Sequence, residues 1–488
     1  MMKKLAVTAS VIAGMLAASF SAFAQEAAVS ESADAPVVIT LEDALKIGLS
    51  ENVSVKVADM EIERTGFAKK GTYAALFPQI DASGSFQRTI KKQVMYMDFD
   101  MGALGGAAGG GSSEGGELPD GVEIPDASAD AGASSNGGGF EVGRWNNWSA
   151  GVSASMPLVN AQLWQSLKLS GLDVELAVEK ARSSRLDMVT QVKNAFYSVL
   201  MAKEAFDVYK RVYENAMQNL AETQKKYDAQ KASEMDLIRA KTTVANAVPN
   251  VYNAESSIIL ALWQLKAVLG VDLDMNLDVA GKLADHAEQM MRDINEGEEM
   301  SLDHNSTMKQ LAIQAEMLAQ SIKVQQYANI PSLAVAFNFS LNAMTNDFKF
   351  NQYRWTPYSF VALSLNIPIF AGGKRYQQIR QAKNQYEQVQ LQVTNTERQL
   401  KIAIRQSLAS METNMKSYYA AQDAVAAAQK GYDITEVSYK VGRSTLIELN
   451  DAQLALTESR LAESQAIFNF LTAKAQLEQT LGQDFIAE

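Results

Sequence analysis

Residues 227–240 and 439–452 align at a fixed offset of 212 positions, and the same offset carries Leu269 and Gly270 onto Leu481 and Gly482. An offset held over more than forty residues marks a duplication. The fold must therefore be something that two related halves build together, and most of it follows from what the copies share and where they differ.

Compartment and chemistry narrow next. Lys3 and Lys4 precede an apolar stretch from Leu5 to Phe20, and Ala22, Phe23 and Ala24 follow, the layout of a cleavable export signal over 1–24 with the mature chain starting near Gln25. The chain has no cysteine, so it forms no disulfide and carries no lipid on cysteine. A net charge of -12 excludes nucleic acid as a partner class, because phosphate binding depends on Lys and Arg. The only histidines are His286 and His304, without a paired-histidine motif, and no catalytic, cofactor or metal site is expected. The methionines Met95, Met97, Met101, Met290, Met291 and Met300 are read as packing rather than as ligands for a soft metal. Past the signal, no run approaches the ~18 apolar residues of a membrane helix, so strands must do any spanning.

Residues 25–39 are small and acidic, a flexible lead-in. From Thr40, a helix N-cap with Asp43 three residues on, the pattern is helical to about Leu76, and Pro78 stops it. Alternation follows. Ile80, Ala82, Gly84 and Phe86 oppose Asp81, Ser83, Ser85 and Gln87, and Trp148 to Met156 alternates likewise before Pro157. Between Pro331 and Pro368 the second copy repeats the pattern, with Leu333 to Leu341 and Val361 to Ile367 alternating. Each strand is near the ~9 to 11 residues of a tilted membrane strand. Trp145, Trp148, Trp355 and Tyr358 lie at one end of these strands and Phe77 and Phe370 at the other, like the two aromatic girdles of an outer-membrane barrel. Amphipathic hairpins on a soluble core are the alternative. Known barrels have about eight strands or more, so four must be completed by other chains.

Ala161 to Tyr227 and Gly373 to Tyr439 are each 67 residues without proline, with apolar positions recurring at three and four. At 1.5 Å per residue each reaches ~100 Å. The return helices, about Ser233 to Leu269 and Thr445 to Leu481, are 37 residues each. Helices at about Glu51 to Leu76 and Asn305 to Ala328 have the length to stack on them, so each half becomes one long helix beside two short ones. Pro249, which has Leu461 as its counterpart, predicts a kink or bulge in one return helix.

Leu41 to Leu45 with Asn52, Phe77 to Ile80 entering the first strand, Pro368 to Gly373 leaving the fourth, and Tyr439 to Gly442 at a helical turn occur in an order that resembles the TolC family of outer-membrane efflux channels. The resemblance implies an α+β fold. A homotrimer shares a 12-stranded β-barrel in the outer membrane, four strands per chain, continued by a periplasmic α-barrel of long antiparallel coiled helices. It implies a duct that catalyses nothing, opened by a periplasmic adaptor protein and an inner-membrane transporter, in contact with outer-membrane lipid. The expected cargo is small molecules such as drugs. Type I protein secretion and heavy-metal export use the same kind of duct, and an envelope rod without transport is the rival of another class.

The domains expected are a first repeat over 40–270, with a hairpin at 79–157; an equatorial segment over 271–304; a second repeat over 305–482, with a hairpin at 332–368; and a tail over 483–488. Pro78 to Pro157 spans 79 residues and Pro331 to Pro368 spans 37, and a Gly-rich stretch over 102–139 falls in the excess. That composition cannot offset ordering entropy, and the insert is expected as a disordered loop on the outer cell face.

The turns at Asp228 to Ala232 and Lys440 to Ser444 would form the periplasmic tip. By resemblance, Asp236, Glu448 and Asp451 line the narrowest part of the tunnel, where a trimer makes rings of three carboxylates attractive to cations. Ser233 with Asp236 and Thr445 with Glu448 are also capping boxes, so helix capping competes with the pore role, whereas Asp451 lies beyond its box. Tyr439 and Arg443 are, again by resemblance, links that hold the tip closed; routine packing and a surface cation are the alternatives.

Overall fold

The computed structural model describes residues 37–95, 140–286 and 301–483. The expected export signal, lead-in residues 25–36, the Gly-rich insert 102–139, Met97, Met101, Met290, Met291, Met300 and residues 484–488 lie outside the described residues. Two compact units make up the chain: residues 1–66, 172–318 and 384–488 form one, and residues 67–171 and 319–383 the other.

Helix α1 (Leu41–Glu51) begins at Thr40, whose Oγ1 accepts from Asp43 N at 3.3 Å while Asp43 Oδ2 accepts from Thr40 N at 3.2 Å. The helix expected to run on to Leu76 breaks instead at Asn52, which is extended at φ -62 and ψ 129. Its side chain explains the break. Asn52 Nδ2 donates to the Val268 carbonyl at 2.6 Å and Oδ1 accepts from Ser54 N at 2.8 Å, so Asn52 both ties down a distant helix end and starts α2 (Val53–Ala74).

The long helices are α3 (Ala161–Asp228) and α6 (Lys374–Lys440). Their returns are α4 (Glu234–Leu269) and α7 (Leu446–Leu481), and α5 (Ser306–Tyr327) mirrors α2. At the start of α5, Asn305 Nδ2 donates to Thr480 O at 2.6 Å and Oδ1 accepts from Met308 N at 2.9 Å. Val268 and Thr480 are 212 positions apart, so the same clamp occurs once per copy. Short helices meet end to end there because α4 closes on Gly270 at φ 77, where a Cβ would come within 2.8 Å of the Glu51 carbonyl oxygen. Helix α4 continues through Pro249 with 36 residues, as many as α7, so the proline brings no inserted residue.

The main core lies in the first unit. Val192, Phe196, Val199 and Leu200 of α3 meet Leu265 and Leu269 of α4, Phe470 and Leu471 of α7, and Ala44 and Leu45 of α1. Strand β1 (Val37–Ile39) pairs in parallel with β6 (Leu277–Val279), and Ile39, Leu277 and Val279 are buried in this core. The lead-in therefore ends in a strand, and the equatorial segment supplies its partner, because Val37, Val38 and Ile39 are β-branched.

In the second unit, β2 (Gln79–Arg88), β5 (Asn146–Val159), β7 (Ser332–Thr345) and β8 (Thr356–Asn366) form one antiparallel sheet in that order. Strand β5 passes through Pro157, where its register with β7 shifts. A two-stranded ladder, β3 (Gln93–Met95) with β4 (Phe140–Val142), forms a second, separate sheet. No helix among the described residues is long and apolar enough to cross a membrane.

Candidate functional site

Helices α3 and α6 end in matching turns. Gln230 N donates to Tyr227 O at 2.8 Å and Lys231 N to Lys226 O at 2.7 Å; in the second copy Gly442 N donates to Tyr439 O at 3.1 Å and Arg443 N to Ser438 O at 2.8 Å. This paired closure of a helix end requires a left-handed residue. Gly442 supplies it at φ 80, and its counterpart Gln230 does so at φ 59 with a side chain attached.

Each return helix then starts at a capping box. Asp236 Oδ2 accepts from Ser233 N at 3.2 Å and from Ser233 Oγ at 2.7 Å, and Asp236 N donates back to Ser233 Oγ at 3.1 Å. Glu448 Oε2 accepts from Thr445 N at 3.0 Å and from the Ser444 hydroxyl, and Glu448 N donates to Thr445 Oγ1 at 3.2 Å. The Ser444 hydrogen bond, with the Thr445 amide, holds the Glu448 carboxyl below the usual carboxylate range. Both acids are thus engaged in capping. Asp451, one turn on from Glu448, is exposed and makes no side-chain hydrogen bond or ion pair among the described residues.

Tyr439 is 7% exposed and packs with Tyr432, Leu446, Leu449 and Ala240. Its hydroxyl lies 2.6 Å from Thr223 Oγ1, and Thr223 in turn donates to Asn219 O at 2.7 Å, so the Tyr439 proton serves the Thr223 bond. Lys226 Nζ donates to the Tyr439 carbonyl at 2.6 Å and sits 4.1 Å from the centre of its ring. Arg443 is exposed, and its side chain makes no hydrogen bond or ion pair among the described residues. Nearby, burial and then the acids Glu436, Asp433 and Glu222 push the Tyr432 phenol up to about 12.

The sheet sorts its side chains by register. Pairs Ile80 with Ala154, Ala154 with Phe337, and Phe337 with Val361 put the apolar sets of all four strands on one face. Asp81 with Ser153, Ser153 with Asn338, and Asn338 with Phe360 mark the other. Tyr358 stands opposite Ser340, on the polar face, and so does not belong with the aromatics of the apolar face. Trp148 does belong there, 4.2 Å from Phe86 and 4.8 Å from Phe350 between ring centroids. Trp145, Trp355, Phe77 and Phe370 are exposed.

The left-handed Gln230 was legible, since the 212-residue offset lays it on Gly442. Thr223 and Lys226 were not, because only packing of α3 against α6 brings them to Tyr439.

A family model described as "Outer membrane efflux protein" matches residues 125–271 and 299–483. The chain is 20% identical over 356 residues to outer membrane protein TolC of Escherichia coli (strain K12), covering 70% of this chain and 71% of that one. It is 22% identical over 349 residues to the proteases secretion protein PrtF of Dickeya chrysanthemi, covering 69% and 73%. Its fold matches the Campylobacter jejuni CmeC outer membrane channel with a TM-score of 0.66 at 16% identity, over 91% of this chain and 85% of that one.

Proposed function

The chain belongs to the outer membrane efflux protein family, and on that premise we propose that three copies close one barrel and export small molecules such as drugs, in concert with a periplasmic adaptor and an inner-membrane transporter. The chain is an outer-membrane duct for efflux or secretion; the trimer, the partners and the cargo are the proposal. The observation that carries it is the sheet: four strands in register with one continuous apolar face, and edges β2 and β8 that pair with no further strand among the described residues. An open edge in lipid leaves backbone groups unpaired at several kcal/mol each, so the sheet must close on others of its kind. Three copies supply twelve strands, within the known range of barrels.

In this assembly the apolar face meets lipid and the polar face lines the lumen. Trp145, Trp148 and Trp355 mark one interface and Phe77 and Phe370 the other. At the tip, Asp451 forms a threefold ring at the aperture, with Glu448 and Asp236 contributing the charge their capping bonds leave. Tyr439 holds the closed state through Thr223 and Lys226, and the unengaged Arg443 is available to a neighbouring protomer.

Purified protein in planar bilayers tests the duct: stepwise single-channel current is expected, and a preparation that inserts without current sinks the reading in favour of a structural rod. Deletion of the gene distinguishes cargo. Increased drug sensitivity supports small-molecule efflux, and unchanged sensitivity with a protein lost from the medium supports secretion, the role named for PrtF.

A further inference from the structure

One end of the sheet joins the helices: β2 follows α2, β5 leads into α3, β7 follows α5 and β8 leads into α6. The other end carries an unusual concentration of positive charge. Stretches 88–95, 140–145 and 346–355 hold Arg88, Lys91, Lys92, Arg144, Lys349 and Arg354 against the two acids Glu141 and Asp347, in a chain whose net charge is -12.

Register and hydrogen bonds bring these stretches together. Arg88 pairs with Asn146, and Asn146 with Thr345. Thr89 N donates to Trp145 O at 2.8 Å, and Arg144 Nη1 donates to Met344 O at 3.1 Å. The Asp347 carbonyl accepts from Asn146 Nδ2 at 3.0 Å, Thr345 Oγ1 at 3.0 Å and Tyr353 OH at 2.8 Å, which pins the 346–355 loop on the strand ends.

Aromatics are interleaved with the cations. The Arg88 guanidinium lies 5.5 Å from the Phe348 ring centre and Lys92 Nζ 4.8 Å from that of Trp145. Phe348 is exposed, and Ile90, between Arg88 and Lys91, is 95% exposed. Lys91, Lys349 and Arg354 are exposed and make no side-chain hydrogen bond or ion pair among the described residues. A surface offering cations beside exposed apolar and aromatic groups suits an amphiphile with an anionic head.

We propose that this collar binds the phosphorylated headgroups of glycolipid in the outer leaflet, an inference that rests on the membrane orientation given above. A phosphomonoester carries close to two charges and three acceptor oxygens, and arginine meets it with two parallel hydrogen bonds. The exposed apolar groups then meet the acyl boundary beneath. Residues 96–139, with eight acids and no Lys or Arg, are the competing occupant. Their carboxylates carry one charge each and bring no acyl chain to the aromatics, so the lipid is favoured.

The test uses the full-length protein in phosphatidylcholine nanodiscs. It is exposed in parallel to lipid A bearing both phosphates, to dephosphorylated lipid A and to inorganic phosphate, and the lipid retained per trimer is read by native mass spectrometry. Phosphorylated lipid A should be retained well above the dephosphorylated form. The variant Lys91→Gln, Lys349→Gln, Arg354→Gln should weaken retention by about fivefold per charge removed. Equal retention of the two lipids, retention unchanged in the variant, or full displacement by millimolar inorganic phosphate overturns the proposal. So does retention that appears only after residues 102–139 are deleted, which assigns the collar to the chain's own acidic segment. Conductance of the unmodified protein in phosphatidylcholine bilayers separates the two readings: no retention of phosphorylated lipid A by that protein, with normal current, rejects the collar and leaves the duct intact.

Discussion

Tyr439 bonds to Thr223 at 2.6 Å, whereas the duplicated residues, Tyr227 and Thr435, make no such pair. Thr435 Oγ1 donates to its own helix at Gly431 O, 2.8 Å away, and Tyr227 is 37% exposed against 7% for Tyr439. The copies share a turn but not a lock, so the two turns are expected to open unequally.

If the lock holds the tip closed, Tyr439→Phe and Thr223→Val each cost about 1 kcal/mol of stability, and the double variant costs less than their sum. In planar bilayers either variant should raise conductance. A double-mutant cycle with no coupling, or unchanged current, removes the lock.

Asp451→Asn isolates the aperture charge from helix capping, because the Asp451 side chain makes no hydrogen bond or ion pair among the described residues. It should weaken cation selectivity and block by divalent cations without lowering the unfolding temperature. Combining Asp451→Ala with Glu448→Ala should deepen the loss of selectivity and also cost about 1 kcal/mol, since Glu448 completes a capping box. Unchanged selectivity and block in both variants would dismiss the acidic ring.

Gln230→Gly should stabilise the protein by about 1 kcal/mol, since a left-handed residue with a Cβ is strained where glycine is not. Gly442→Ala should cost a similar amount or more. Chemical denaturation of both variants checks the pair, and opposite signs are the expected result.

Burial, and then Asp207, raises the Glu204 carboxyl above its ordinary value of 4.5; burial, and then Glu204 itself, raises Glu463, with Arg460 opposing. The folded chain therefore holds these protons more tightly than the unfolded chain. Their contribution to stability is present in full below about pH 4.5 and declines as pH rises through the raised folded values. Glu204→Gln with Glu463→Gln should gain in melting temperature over the parent as pH rises from 4 to 8. A constant difference across that range contradicts the assignment.

Much of this architecture is written locally. The alternation from Ile80 to Phe86 and from Leu333 to Leu341 names the faces of a sheet before any partner is known, and the parity that puts Tyr358 with Phe360 was in the same pattern. Ser233 with Asp236 and Thr445 with Glu448 marked the starts of α4 and α7, because a capping box is made within four residues. The 212-residue offset paired the turns and the closing glycines.

What the tertiary structure alone decided is where distant backbone groups find partners. Asn52 breaks a helix that periodicity carries onward because its amide reaches a carbonyl 216 residues away. The β5 to β7 pairing joins the two hairpins, the three-residue β1 finds β6, and Thr223 and Lys226 converge on Tyr439. None of these leaves a periodic trace: a hydrogen bond to a main-chain group asks nothing of the partner's side chain, and the hydroxyl pair of Thr223 and Tyr439 joins residues 216 positions apart. The sequence by itself determined the elements, their faces and their duplication; packing decided which ends meet, and so which tyrosine of an equivalent pair could become a lock.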